Sequence, residues 1–88
     1  MPTISIFFGI IVQMNWRDHN PPHVHAWYQG HEALVDIETG EIIAGSLPKF
    51  AVRLMREWVT IRRPELRVNW EKSRRREPLD AVPGADVE

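Results

Sequence analysis

HVHAWYQGHEALVD, residues 23–36, reads as two short strands back to back. Val24, Ala26 and Tyr28 alternate with His23, His25 and Trp27, and the alternation resumes with Ala33 and Val35 beyond Gln29-Gly30. Such alternation marks a strand with one buried face, and a residue followed by glycine in the gap allows a tight hairpin. With Gln29-Gly30 as the loop, Ala26 faces Ala33, Val24 faces Val35, His25 faces Leu34 and His23 faces Asp36. A turn one position later, at Gly30-His31, sets His25 against Asp36 and His23 against Glu38. Either register builds one apolar face, and either puts a carboxylate beside a histidine on the other.

Working outward, the even positions from Ile4 read Ile4, Ile6, Phe8, Ile10, Val12, Met14 and Trp16. That period of two predicts a long strand, or two collinear strands with a bulge or bend at Gly9. Asn20-Pro21-Pro22 ends it, because proline has no ladder donor and forces the residue before it into an extended conformation. On the other side, Thr39-Gly40 marks a turn and Glu41 to Ala44 a last strand, with Ile37 and Ile42 on the core side.

Leu47, Phe50, Ala51, Leu54, Met55, Trp58 and Val59 then follow at helical spacing, with Ser46 as N-cap and Pro48 in the first turn. Arg62-Arg63-Pro64 is expected to end this helix. A shorter second helix is expected from Glu65 to about Arg74, with Leu66 and Trp70 inward. The resulting fold is α+β: an antiparallel meander of three to four strands packed on one amphipathic helix, plus a short second helix. Residues 1–78 form the expected single domain, and 79–88 a mobile C-terminal tail.

The chain's 88 residues allow one small core. Apolar residues make up 43% and charged residues 26%, which excludes the disordered class. There is no cysteine, so disulfides and thiolate chemistry are excluded and cytoplasm is the expected compartment. The apolar start has neither the flanks of a secretory signal nor the length of a membrane span. Net charge is −1, which gives no general attraction to nucleic acid, but acids gather between Glu32 and Glu41 and arginines from Arg53 to Arg76.

Three of the four histidines lie in DHNPPHVHAW, residues 18–27. Two histidines one residue apart on a strand point the same way, about 7 Å apart at their roots, close enough for both rings to reach one metal ion. His19 could supply a third nitrogen, and Asp36 or Asp18 an oxygen. A site of nitrogens and oxygens without sulfur suits a divalent transition metal such as zinc, nickel, copper or iron. Metal-free proton transfer at a nucleic-acid phosphodiester is the other chemical reading, with His23 and His25 as proton carriers and Arg17 on the phosphate. Against both stands a plain turn, in which Asp18 caps backbone donors and a histidine pairs with a carboxylate.

Trp16, Trp58 and Trp70 sit at apolar phase positions and are expected in the core. Trp27 shares the histidine face and, with His23 and His25, makes a candidate partner-binding surface.

The residues MPTIS, FFGI, DHNPPHVHA, ALVDIETGEI and GSLP, with EW followed by NWE, resemble a family of small bacterial proteins, the domain of unknown function 4160 family. The likeness runs to about Pro78. Val24 stands where members usually carry Phe, and the ending PLDAVPGADVE departs from the family's basic-apolar one. The family brings no established activity. Its genes often lie beside another small gene in arrangements that look like toxin-antitoxin pairs, so the resemblance implies a small partner protein encoded nearby and a regulatory or interaction role. The alternative is a metal- or histidine-dependent enzyme acting on a phosphodiester.

Overall fold

The computed structural model describes residues 2–87. Met1, and Glu88 at the end of the expected tail, lie outside the described residues. Five strands form one antiparallel sheet in sequence order: β1 (Thr3–Phe7), β2 (Ile10–Gln13), β3 (His23–Tyr28), β4 (His31–Asp36) and β5 (Ile42–Gly45). One helix, α1 (Lys49–Arg74), follows. The α+β meander is present, with five strands rather than three or four and one helix rather than two.

The extra strand arises at Phe8-Gly9. Both residues have positive φ, 49° and 79°, the signature of a two-residue hairpin turn. The long apolar run is therefore a hairpin of β1 on β2 instead of two collinear strands. A register shift between Thr3 and Ser5 also moves the inward phase from the even positions of β1 to Phe7. Ile6 is consequently 62% exposed while Phe7 is buried against Trp58, ring centroids 5.1 Å apart.

Gln29 and Gly30 make the second tight turn, with φ of 43° and 82°. This fixes the first of the two registers: His23 opposite Asp36, Val24 opposite Val35, His25 opposite Leu34 and Ala26 opposite Ala33. Val24, Ala26 and Val35 are fully buried beneath the helix. The last strand is joined through Gly45, whose φ is 75° and where an added Cβ would lie 2.1 Å from the Glu32 carbonyl oxygen. Only glycine permits that approach.

The helix begins at Lys49, and Pro48, not Ser46, is its N-cap; no side chain caps it. Pro48 has no N–H to lose at this position, and its carbonyl accepts from Ala51 and Val52. The expected break at Pro64 does not occur, and α1 runs through it for 26 residues. A mid-helix proline is disfavoured by about 3 kcal/mol relative to alanine. Against this, the buried positions Ala51, Met55, Trp58, Val59, Leu66, Asn69, Trp70 and Ser73 keep one helical phase on both sides of Pro64. Burying side chains as large as Leu66 and Trp70 contributes roughly 1.5–3 kcal/mol each, enough to hold the second half in line with the first. Arg63 adds a bond from Nε to the Ile37 carbonyl at 2.8 Å, and Arg67 pairs with Glu38.

The residues after the helix, expected as a mobile tail, are packed into the core. Val82 is 4% exposed and donates its N–H to the Ile4 carbonyl at 2.7 Å. The Asn69 side chain, buried inside α1, donates to the Asp80 carbonyl and accepts the Asp80 N–H, both at 2.9 Å. Trp58 Nε1 donates to the Pro83 carbonyl at 2.8 Å. The boundary placed at Pro78 thus has no physical counterpart, since the chain beyond it completes the core. Trp58 and Trp70 are buried as expected; Trp16 is not, being 46% exposed in the loop after β2. Among the described residues, no helix is long and apolar enough to cross a membrane.

Candidate functional site

The loop between β2 and β3, residues 14–22, folds back over the end of the sheet and is tied to the C-terminal end of α1. Arg17 donates its backbone N–H to the Ser73 carbonyl at 3.1 Å, and Trp16 Nε1 donates to the Glu77 carbonyl at 3.0 Å. Arg17 has φ of 54°, a left-handed conformation uncommon for a side-chain-bearing residue, and these two bonds brace it. The Asn20-Pro21 peptide bond is cis. This loop carries Asp18 to the two histidines of β3.

Alternation along β3 turns the rings of His23 and His25 to the same side, with centroids 5.3 Å apart. His23 is 1% exposed, covered by Trp70 at a centroid distance of 5.5 Å. Both rings meet one carboxylate oxygen: Asp18 Oδ2 lies 3.0 Å from His23 Nε2 and 3.2 Å from His25 Nε2. The other nitrogens face oxygen as well. His23 Nδ1 donates to the Pro21 carbonyl at 2.7 Å, and His25 Nδ1 to Glu32 Oε2 at 3.2 Å. The Asn15 amide nitrogen lies 3.4 Å from Asp18 Oδ2 and 3.2 Å from His25 Nε2.

Burial pushes the Asp18 carboxyl up, but the opposing contributions outweigh it. The bond from His25, the backbone N–H of His19 on Oδ1 (2.9 Å), the charge of His23 and the Asn15 amide hold its pKa down to about 2. Asp18 is therefore an acceptor-only carboxylate at every physiological pH.

The sequence candidates divide accordingly. His23 and His25 come together with Asp18, weighed in the sequence both as a metal-ligand oxygen and as a turn cap: its Oδ1 takes the His19 N–H, as a cap does, and its Oδ2 faces the two rings. Asp36 is elsewhere. Although it lies opposite His23 in the ladder, its Oδ1 accepts from the backbone N–H groups of Glu38 (2.7 Å) and Thr39 (3.1 Å), closing the turn before β5. His19 stays on the rim, 82% exposed, with Nδ1 3.0 Å from Asp18 Oδ1. Trp27 sits farther along the same strand, part of a row in which Ile6 pairs with Ile11 and Ile11 with Trp27.

Arg17, Asp18 and Arg74 line a cleft of about 200 Å³ at this site. Sequence reading missed Asn15, Glu32 and Arg74. Glu32 follows from the hairpin register, which sets it diagonal to His25; the other two depend on the path of an irregular loop and leave no periodic trace.

Chemically, Asp18, His23 and His25 offer one ligand atom each, all within 4.8 Å of one another. For zinc at its usual bond lengths of about 2.0–2.1 Å, neighbouring ligand atoms of a tetrahedron stand about 3.3–3.4 Å apart. Two edges of this triangle, 3.0 and 3.2 Å, are already near that size. Each ring is oriented by an Nδ1–H bond to oxygen, the arrangement that holds metal-ligating histidines in place.

A five-stranded meander under one long helix, carrying a carboxylate–imidazole triad at one end, defines a small α+β protein with a candidate metal centre. The chain belongs to the family described as Domain of unknown function (DUF4160), whose family model matches residues 9–71. That match contains Asp18, His23 and His25, and it leaves out all of β1 and the segment that closes the core. No curated protein and no solved structure matches the chain.

Proposed function

We propose that this protein is a metal-dependent module whose Asp18–His23–His25 triad binds one divalent transition metal, the carboxylate oxygen and two Nε2 atoms serving as ligands. The observation that carries this reading is the facing of His23 Nε2 on Asp18 Oδ2 at 3.0 Å. His23 Nδ1 already donates to Pro21, and a carboxylate cannot donate, so something positive must lie between Nε2 and Oδ2: a second ring proton, or a metal ion in its place. Three protein ligands leave a position open for water or substrate, as catalytic centres do. Two imidazoles and one carboxylate suit zinc or iron, and nickel and copper are also accommodated by this donor set.

The test is a thermal melt of chelator-stripped protein with and without zinc. Ligand at one hundred times Kd stabilises the folded state by about 2.7 kcal/mol. For a domain of this size that raises Tm by about 10 °C or more. A melt indifferent to zinc, nickel, copper and iron contradicts the reading.

A second reading rests on a different observation. Ile6, Ile11 and Trp27 form an exposed apolar row across the helix-free face of the sheet. Such a row supports an interaction or regulatory module for a small partner protein, one component of a toxin-antitoxin-like pair. Co-expression with the product of the adjacent gene is expected to give a complex that Trp27→Ala weakens; no complex contradicts it.

A further inference from the structure

The cleft beside the triad holds two arginines that make no ion pair among the described residues. Arg17 and Arg74 line it together with Asp18. Among the described residues, neither guanidinium lies within ion-pair distance of a carboxylate, whereas Arg56, Arg62, Arg67 and Arg75 each do. Arg17 is also held in place: its left-handed backbone is braced by the bond to Ser73 at the helix end from which Arg74 projects.

The carboxylate that lines the cleft is already engaged. Asp18 Oδ1 is bonded to the His19 N–H and Oδ2 faces the two imidazoles. The carbonyls of Glu71, Lys72 and Ser73, which would otherwise present the negative end of the helix, accept from Arg75, Glu77, Arg17 and Arg76. A second groove, of about 310 Å³, is lined by Trp16, which precedes Arg17, and Arg76, two residues beyond Arg74. The exposed indole of Trp16 adjoins Arg17 in the chain and shares its groove with Arg76, and an aromatic face next to guanidinium groups suits a base joined to a phosphate.

We propose that the Arg17–Arg74 cleft binds the phosphate of a nucleotide, free or at the end of a single strand, with its base stacked on Trp16. This extends the reading of the triad as a metal centre by naming the ligand class that the neighbouring cleft presents to it. The binding itself does not need the metal, so the two readings fail separately.

The experiment is calorimetric titration of the metal-free, full-length protein with adenosine 5′-monophosphate, with inorganic phosphate and adenosine as the separate halves. The monophosphate is expected to bind at least tenfold more tightly than either half and to change tryptophan emission. Arg74→Gln, at an exposed position, is expected to weaken monophosphate and phosphate alike by about tenfold, the scale of one charge-assisted hydrogen bond, without altering the melt. A 5′-phosphorylated trinucleotide that binds more tightly than the monophosphate assigns the strand end as the source, and the reverse order assigns the free nucleotide. No phosphate binding, affinity unchanged in Arg74→Gln, or a monophosphate that binds no better than inorganic phosphate overturns the proposal.

Discussion

His23 Nδ1 donates to the carbonyl oxygen of Pro21 at 2.7 Å, and this one bond sets the chemistry of the site. It fixes the ring's orientation from a backbone atom two residues away and leaves Nε2 to meet Asp18. The carbonyl of Pro21, in the loop that leads into β3, thereby also orients a candidate ligand.

Asp18 ties the acid stability of the metal-free protein to the triad. Its carboxyl is lowered from the usual 3.8 to about 2 by the donors around it. A depressed carboxyl stabilises the fold above its unfolded pKa, and that contribution is lost as pH falls through the folded value. Metal-free protein is therefore expected to lose about 2 kcal/mol between pH 4 and pH 2 from this group alone. Urea midpoints measured across that range check it; Asp18→Asn is expected to flatten this part of the profile.

The C-terminal segment is part of the core. Ending the chain after Pro78 removes buried Val82 and strips the Asn69 amide and the Trp58 indole N–H of their partners. Burial and orphaned polar groups together predict a loss of about 2 kcal/mol or more, read as a lower denaturation midpoint. An unchanged midpoint would show that the segment contributes nothing.

Pro64 is exposed and lies inside a helix that packs on both sides of it. Pro64→Ala restores a backbone N–H at no cost in buried contacts and is expected to stabilise the protein by about 1–3 kcal/mol. Chemical denaturation decides it, and a destabilised variant would mean that the geometry imposed by proline is needed to seat Leu66 and Trp70.

Gly45→Ala tests how β5 is held. The new Cβ would meet the Glu32 carbonyl oxygen at 2.1 Å, on a backbone whose φ of 75° already disfavours alanine. Both effects predict destabilisation of about 2 kcal/mol or more, with faster amide exchange at the β4–β5 pairing.

The elements with strict periodicity were legible in the sequence. Alternation around Gln29-Gly30 gave the β3–β4 hairpin and the observed register as one of two, the turn geometry deciding between them, and the helical stripe from Ala51 to Val59 was read residue by residue. What failed had competing physics behind it. Phe8-Gly9 reads as strand by period but turns, because the pairing of β1 on β2 outweighs the cost of placing phenylalanine at positive φ. Pro64 reads as a stop, but the helical phase of Leu66 and Trp70 outweighs one missing N–H. PLDAVPGADVE has tail composition, and only the three-dimensional partners of Val82 and Asp80 make it core. At the site, alternation placed His23 and His25 on one side; the choice of Asp18 over Asp36 depended on a loop path that no periodicity encodes.

The central claim is that His23, His25 and Asp18 form one metal site. Calorimetric titration of zinc into chelator-stripped protein, in two buffers of different ionisation enthalpy, tests it most directly. The account predicts one zinc per chain, release of protons as the metal replaces those on the ring nitrogens, and loss of binding by at least a hundredfold in His25→Ala. No stoichiometric zinc uptake, or the same uptake in His25→Ala as in the wild-type protein, would contradict it.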